Sequence, residues 1–220
     1  MQQQHALIAE IALAVAGRYG FALAGGYAVS VHGMGARLSW DVDLFTAWQT
    51  RAEFPRAVDE VVKAFDAHGF EVTAVIRNET FARLLLADRS RPGSEPEKLE
   101  MSADWRAHPP VPSPVGPVLH PDDAVANKMC ALFGRAEARD FLDVDAALSS
   151  GRYTRGRLLD LAMNADPGFE VAAFVDALGA LTQITDADFD CYGVSPAELP
   201  GLRERFAQWR RDLSRSLEQR

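Results

Sequence analysis

The sequence has few cysteines and no long hydrophobic run. Its 220 residues include two cysteines, Cys130 and Cys191, whose spacing fits neither a set of metal ligands nor a disulfide framework. No apolar run approaches the roughly 20 residues that cross a bilayer. The apolar N-terminal stretch lacks the basic region and the cleavage site of a signal peptide. These absences disfavour a disulfide scaffold and a membrane-spanning protein, and they predict a cytoplasmic protein without a membrane partner.

Positive charge is also in the minority. The chain has 23 lysine and arginine residues against 31 aspartate and glutamate residues, which gives a formal net charge of −8. This balance disfavours broad, non-specific nucleic-acid binding, although a local basic groove is compatible with it. What the chain does have is an ordinary globular composition, with 48% hydrophobic residues and enough length for one large domain or two small ones.

A proline-rich segment separates two different patterns. Residues 107–118, "AHPPVPSPVGPV", contain five prolines and predict a linker or an extended crossing segment. Before it, helical patterns mix with strand patterns such as "FEVTAVI", "FARLLLA" and "KLEMSA". After it, the pattern is helical almost throughout. We therefore predict an α+β fold, with a mixed β-sheet and flanking helices in a domain over 1–108 and a helical bundle in a domain over 118–220.

Two acids interrupt an apolar strand pattern. In "WDVDLF", Asp41 and Asp43 point to one face of the predicted strand, whereas Val42 and Leu44 point to the other. Adjacent carboxylates repel each other and are costly to bury. A divalent cation that prefers oxygen ligands, such as Mg²⁺, offsets that repulsion. An exposed strand end or a turn cap is the alternative interpretation.

Two glycines precede this strand. Gly25 and Gly26 follow the apolar run "FALA" and precede the helical pattern "YAVSVHG". A glycine turn before a helix lets backbone N–H groups approach a phosphate, although plain tight turns have the same composition. The order strand, glycine turn, helix and acidic strand is the arrangement expected of a single binding site. In it the turn holds a polyphosphate and the acidic strand holds the cation that bridges it.

The stretch "GGYAVSVHGMGARLSWDVDLF" resembles the first motif of the polymerase-β-type nucleotidyltransferase superfamily. More narrowly, its H-x(4)-R-x-S-x-D-x-D-L-F pattern is similar to that of the AbiEii/AbiGii-type nucleotidyltransferase toxins. Arg37 and Ser39 occupy the positions just before the acids. Tyr27 departs from the motif, because a small hydroxyl or apolar residue is frequent after the glycines. The resemblance extends over residues 20–148 and implies a nucleotidyltransferase-type fold for the first domain.

Members of this superfamily take a third carboxylate from a neighbouring strand. Glu100 in "EKLEM" fits that position and shares a strand face with Lys98. Asp104 is the rival, because a slip of the strand register would exchange the two acids. The resemblance thus implies metal ligation by Asp41, Asp43 and Glu100.

The helical half continues the resemblance in "KMCALFGRAEARDFLDVD". Lys128, Arg135 and Arg139 share one helix face if the helix continues through Gly134. The resemblance implies that this helical domain completes the active site. The implied nucleotide-binding residues are Gly25, Gly26, Arg37, Ser39, Lys128, Arg135 and Arg139, and the implied catalytic residues are Asp41, Asp43 and Glu100 together with Asp140 or Asp143.

The resemblance implies one reaction and leaves the acceptor open. With two Mg²⁺ ions, or Mn²⁺, at the acids, a nucleoside monophosphate passes from a nucleoside triphosphate (NTP) to an acceptor hydroxyl and pyrophosphate leaves. The family favours RNA, such as tRNA, as the acceptor of a toxin that has a cognate antitoxin protein. A small molecule or a protein hydroxyl is the second candidate acceptor. A non-catalytic nucleotide-binding module is the alternative from a different class.

Overall fold

A mixed β-sheet occupies the first half of the chain. The structure, a computed structural model, describes residues 1–35 and 37–219. Among these residues, seven strands form one sheet in the order β3-β4-β5-β2-β1-β7-β6. The strands are β1 (Ala22–Leu23), β2 (Asp41–Ala47), β3 (Phe70–Arg77), β4 (Phe81–Asp88), β5 (Glu97–Asp104), β6 (Val111–Ser113) and β7 (Gly116–Val118).

The centre of the sheet is a parallel pair. β2 and β5 run parallel with Asp43 opposite Glu100, and β4 and β1 flank them in antiparallel orientation. Val42 and Leu99 are fully buried. Because side chains alternate along a strand, the acids of β2 and β5 lie together on the opposite face from these core residues. The register of this pair therefore decides which carboxylates become neighbours.

Three helices accompany the sheet: α1 (Gln3–Ala16), α2 (Gly25–Val31) and α3 (Phe54–Ala67). α3 begins with Pro55 in its first turn, a position where the missing N–H costs nothing. Phe54, Val58, Val61 and Phe65 recur at helical spacing and are fully buried. α1 packs against α3. This apolar layer supports the sheet from the side of its core residues.

The proline-rich segment is part of the sheet, so its interpretation as a linker is wrong. β6 and β7 form an antiparallel hairpin in which Pro112 is opposite Pro117. β7 pairs in parallel with β1, and the N–H of Leu119 donates to the carbonyl of Leu23 at 2.9 Å. Pro112 is tolerated because β6 is the last strand of the sheet, whereas Pro117 lies on β7 between β6 and β1.

The second half of the chain is helical. Its helices are α4 (Pro121–Gly134), α5 (Ala138–Ser149), α6 (Arg155–Ala165), α7 (Val171–Gly179), α8 (Ala187–Asp190) and α9 (Leu199–Glu218). Aromatic side chains fill its core: Phe141 meets Phe206 edge-on at 5.0 Å between ring centroids, and Phe174 meets Trp209 at 5.4 Å. The predicted α+β class, with a mixed sheet followed by a helical bundle, is confirmed.

The chain divides into two compact units. The first unit comprises Met1–Val31 and Ser39–His120, and the second comprises His32–Leu38 together with the chain from Pro121 onward. Whether 1–108 and 118–220 fold as separate domains stays a prediction. Within the described residues, no helix combines the length and the apolar character that crossing a membrane requires.

Candidate active site

The glycine turn lies directly against the acidic strand. Gly25 has a φ of +59°, in the left-handed region, and a Cβ at this position would overlap the carboxylate of Asp43. The N–H of Ala24 donates to the Asp43 carbonyl at 2.8 Å. Only glycine satisfies both the backbone angle and the close approach. The turn that contains Gly25 and Gly26 is thus fixed next to Asp43, as the combined motif predicts.

Three carboxylates share one face of β2 and β5. Asp41 is opposite Lys98 and Asp43 is opposite Glu100, so Asp41, Asp43 and Glu100 line adjacent positions of neighbouring strands. We call these three residues the acidic face. Asp41 is buried, with 8% of its surface exposed. Carboxylate oxygens at this density are the donors that Mg²⁺ and Mn²⁺ prefer.

Two side chains of the first unit supply positive charge to the acidic face. The Lys98 ammonium lies 2.9 Å from Asp41 Oδ2 and 3.6 Å from Glu100 Oε1. Arg83 Nε donates to Glu100 Oε1 at 2.8 Å. Burial opposes the charge of Lys98, but the hydrogen bond and charge of Asp41 outweigh it and raise the pKa of the lysine. An ammonium held between two of the three acids shows that this face stabilises a cation, so its donor set fits a divalent metal.

The strand register separates the two candidates for the third acid. Glu100 is opposite Asp43, whereas Asp104 is opposite Ala47 at the far end of the pair. Four residues along a strand span about 13 Å. Burial raises the pKa of Asp104, although its carboxylate accepts the Trp105 N–H at 2.8 Å. The geometry therefore favours Glu100, and its role in metal binding stays a prediction.

The second unit contains a buried group of opposite composition, Arg37, Lys128 and Asp143, which we call the Asp143 cluster. Arg37 donates to both Asp143 oxygens, at 2.6 and 2.8 Å, and the Lys128 ammonium lies 2.9 Å from Oδ2. Burial of Asp143 opposes ionisation, but Lys128 and Arg37 outweigh it and hold the pKa of this carboxyl below its usual value. The Arg37 guanidinium also lies over the Tyr192 ring, 5.4 Å from its centroid.

The condition under which Lys128, Arg135 and Arg139 would share one helix face, a helix that continues through Gly134, is not met. α4 ends at Gly134 and α5 begins at Ala138, because Ala136 between them adopts a left-handed φ of 51°. Lys128 is therefore on α4, Arg139 is on α5, and Arg135 is on the turn between them. A helix interruption of this kind leaves no 3.6-residue signature in the sequence.

Asp140 has a structural task in this turn. It accepts hydrogen bonds from Arg135 at 2.9 and 2.8 Å and from the Glu137 N–H at 3.1 Å. The last bond belongs to a capping box, in which Glu137 and Asp140 satisfy the first free N–H groups of α5. Asp140 is fully buried. Of the two aspartates, Asp143 thus has the partners expected of a site residue, while the catalytic role of either stays a prediction.

Comparison with known proteins identifies the family. The chain matches the family model "Nucleotidyl transferase AbiEii toxin, Type IV TA system" over residues 7–166. The chain belongs to the AbiEii nucleotidyltransferase toxin family. The resemblance inferred from the first motif is confirmed. Comparison with curated protein sequences gives no match.

Solved structures share the fold of this AbiEii-family chain. A putative nucleotidyltransferase from Helicobacter pylori gives a TM-score of 0.61 at 16% identity, covering 100% of this chain and 98% of that chain. The toxin MenT4 from Mycobacterium tuberculosis gives 0.58 at 19% identity, covering 93% and 82%. The antibiotic-resistance factor ANT(2'')-Ia gives 0.50 at 15% identity, covering 83% and 97%. At these identities the likeness shows the fold.

Three further predicted site residues of the AbiEii-family chain, Gly26, Ser39 and Arg139, lie outside the acidic face and the Asp143 cluster. Gly26 lies in the first turn of α2, and Ser39 is buried just before the acidic strand, where its carbonyl accepts the Gln2 amide at 3.2 Å. Arg139 Nε lies 2.9 Å from Glu137 Oε2. Their roles in nucleotide binding stay predictions.

Local sequence pattern does not predict that Lys98 and Arg83 both pair with carboxylates of the acidic face. Lys98 and Arg83 reach the acidic face from β5 and β4, and both are paired with its carboxylates. The shared strand face of Lys98 and Glu100 is the one signal of this arrangement. Arg83 becomes a neighbour of Glu100 only through the antiparallel pairing of β4 with β5, in which these two residues are opposite each other.

Proposed function

We propose that this AbiEii-family protein is a metal-dependent nucleotidyltransferase that moves a nucleoside monophosphate from an NTP to a hydroxyl of RNA, such as tRNA. The observation that carries the proposal is the close contact between Gly25 and Asp43. On the neighbouring strand β5, Glu100 is opposite Asp43. A glycine turn is suited to phosphate and carboxylates are suited to a divalent cation, so this arrangement supports the proposal. Family membership supports nucleotidyl transfer, an NTP substrate and an antitoxin partner. We place the reaction in the cytoplasm.

The acidic face would hold the metal. Mg²⁺ or Mn²⁺ at Asp41, Asp43 and Glu100 would supply the charge that polarises the α-phosphate and neutralises the triphosphate. The chain itself binds and orients: the turn at Gly25 and Gly26 offers backbone N–H groups to the phosphates. A cation bound through Asp41 Oδ2 would compete with the Lys98 ammonium, which lies 2.9 Å from that oxygen.

The bond changes of the proposed reaction are those of an in-line displacement. The acceptor oxygen forms a bond to the α-phosphorus while the bond from that phosphorus to the β-phosphate oxygen breaks. Pyrophosphate leaves, and the hydroxyl proton passes to a carboxylate, for which Glu100 is our candidate. The protein contributes position and electrostatic stabilisation without a covalent intermediate.

Nucleotide binding by the second unit is part of the proposal. Lys128 and Arg37 bring two positive charges to the single negative charge of Asp143. The excess of positive charge is suited to a phosphate, and it is the physical support for their proposed role. The proposed roles of Arg135 and Arg139 rest on the family resemblance.

The RNA acceptor is the part of the proposal that rests on the family. On the first unit, Arg77 and Arg89 form ion pairs with Asp59 and Asp66, at 2.8 and 2.6 Å. These pairs reduce the positive charge that the sheet offers to a nucleic-acid backbone. We therefore expect binding of a defined RNA end and not of RNA in general.

The deciding experiment incubates the protein with each α-labelled NTP, Mg²⁺ and total RNA. Label on tRNA, lost when EDTA removes the metal, is the expected result. Label on a protein or on a small molecule would reject RNA as the acceptor but keep the chemistry. Nucleotide binding without any label would indicate the non-catalytic module. Growth arrest on expression, relieved by a neighbouring antitoxin gene, would support the toxin function in cells.

A further inference from the structure

A chain of three hydrogen-bonded polar side chains, two of them buried, begins at the residue after the glycine pair. His5, on α1, is 2% exposed. Its Nδ1 lies 2.5 Å from the hydroxyl of Tyr27, and its Nε2 lies 2.8 Å from Glu97 Oε2. All three residues belong to the first unit. Nothing in the proposed reaction uses them.

Each end of this chain leads to a part of the proposed site. Tyr27 follows Gly25 and Gly26 in the first turn of α2. Its hydroxyl also lies 3.4 Å from the carbonyl of Ser39, two residues before Asp41. Glu97 is the first residue of β5, the strand that carries Glu100. The hydrogen bonds of the chain therefore connect the turn with the start of β5, and the Tyr27 hydroxyl contacts the segment just before β2.

The chemistry of the donors fixes the direction of the hydrogen bonds. A carboxylate oxygen accepts, so the imidazole tautomer that bonds Glu97 has its proton on Nε2 and donates there. Nδ1 is then an acceptor, and the Tyr27 hydroxyl donates its single proton across the shorter of its two contacts, 2.5 Å to Nδ1 against 3.4 Å to the Ser39 carbonyl. Removing the Tyr27 hydroxyl would leave the buried Nδ1 without its donor.

Buried polar residues at these positions require a reason. Burying an imidazole and a phenol is unfavourable unless their hydrogen bonds are made, and a phenylalanine at position 27 would fill the same space. Tyr27 is also the residue that departs from the first motif of the family. A function in positioning explains both facts.

We propose that Glu97, His5 and Tyr27 are positioning residues that hold the glycine turn, β2 and β5 in the alignment needed to bind the triphosphate. The proposal rests on the proposed function, because it assigns the triphosphate to that turn. The residues act through Gly25, Asp41 and Glu100 and do not contact the substrate. Their loss should loosen the alignment of three segments without removing a ligand.

The first test is independent of activity. Hydrogen–deuterium exchange is measured on the wild type, on Tyr27→Phe and on Tyr19→Phe. Tyr19 is the matched control, since its hydroxyl also bonds a carboxylate, that of Glu60, at 2.8 Å. We expect about ten-fold faster exchange in α2 and at the starts of β2 and β5 for Tyr27→Phe only. Equal exchange in all three proteins would overturn the proposal.

The second test separates binding from turnover. The Kd of a non-hydrolysable NTP analogue and the transfer kinetics are measured for the same proteins. We expect Tyr27→Phe to raise both Kd and KM about ten-fold, with a smaller change in kcat, and Tyr19→Phe to change neither. A lower kcat at unchanged KM and Kd would show that the network only maintains folded enzyme. If the wild type neither binds nor transfers, the proposed function fails while the exchange test still decides the network.

Two substitutions of His5 keep the proposal testable should Tyr27→Phe fold poorly. His5→Asn places an amide oxygen where Nδ1 accepts from Tyr27, whereas His5→Gln extends its amide towards Glu97. We expect His5→Asn to retain nucleotide affinity within about three-fold and His5→Gln to lose about ten-fold. The reverse order, or equal affinity, would contradict a hydrogen bond that positions the turn.

Discussion

The acidic face of the first unit and the Asp143 cluster of the second use the same residue types in opposite proportion. The acidic face has three carboxylates, and Lys98 and Arg83 are paired with it. The Asp143 cluster has one carboxylate between two cations. One group therefore needs more positive charge and the other can accept negative charge. We propose a metal as the ligand of the first group and a phosphate as the ligand of the second.

The largest effect is expected from the acidic face. Asp43→Ala removes a proposed metal ligand from the strand next to the glycine turn, and Asp41→Ala removes its neighbour. Each should lower transfer of labelled nucleotide by at least about 1000-fold, because the charge that stabilises the transition state is lost. Thermal unfolding should show a folded protein, since removing one of three like charges relieves repulsion.

Asp59→Asn is the control for these two variants. Asp59 forms an exposed ion pair with Arg77 on the same unit. Asp59→Asn therefore removes one negative charge, as the other two variants do, but at a position outside the acidic face. Its activity should stay within about two-fold of the wild type, because exposed pairs contribute little. Retained transfer in both Asp41→Ala and Asp43→Ala would remove the acidic face from the mechanism.

The next effect tests the close contact at the turn. Gly25→Ala combines a left-handed φ with an overlap on the Asp43 carboxylate. Gly93→Ala has a similar φ of +85° but nothing within 4 Å. Both should lose about 1 to 2 kcal/mol from the backbone angle. Only Gly25→Ala should also weaken NTP binding, by about 100-fold, and calorimetric titration measures this affinity. Equal NTP affinity of the two variants would show that the turn does not bind phosphate.

Substitution in the Asp143 cluster should lower the free energy of unfolding. Asp143→Asn removes the buried carboxylate that pairs with Lys128 and Arg37 and should cost about 3 kcal/mol of unfolding free energy at pH 7. The folded pKa of Asp143 lies below its ordinary value of 3.8, so its contribution is complete above that value and is lost as the pH falls through the folded pKa. Urea unfolding between pH 7 and pH 3 should therefore show a weaker pH dependence in the variant.

Asp145→Asn provides the comparison for that experiment. Asp145 lies on the same helix, α5, and makes a bidentate pair with the exposed Arg205 at 2.7 Å. Because solvent screens this pair, we expect a loss of less than about 1 kcal/mol. A similar loss in both variants would show that burial does not distinguish the Asp143 cluster from a surface pair.

The two groups also differ in how far sequence predicts them. Gly25, Asp41 and Asp43 are close in sequence, so strand alternation and turn chemistry define their arrangement locally. The choice between Glu100 and Asp104 depends on pairing between strands that are distant in sequence, and one shift of register changes it. The predicted helix face required a helix that continues through Gly134, and the structure ends α4 at that glycine. His5 and Glu97 are 92 positions apart and match no spacing pattern.

The smallest effect should come from Lys98, and it tests the charge imbalance of the acidic face directly. Lys98→Met removes the ammonium next to Asp41, so carboxylate repulsion should lower the unfolding temperature of the metal-free protein by a few degrees. Added Mg²⁺ should then stabilise the variant more than the wild type, because the cation no longer competes with a lysine for the same oxygens. Lys63→Met, at an exposed position of α3, is the control and should show the wild-type increment. If Mg²⁺ raises the unfolding temperature of the wild type, Lys98→Met and Lys63→Met equally, Lys98 does not occupy the cation position. The charge of the acidic face would then no longer support its proposed role in metal binding.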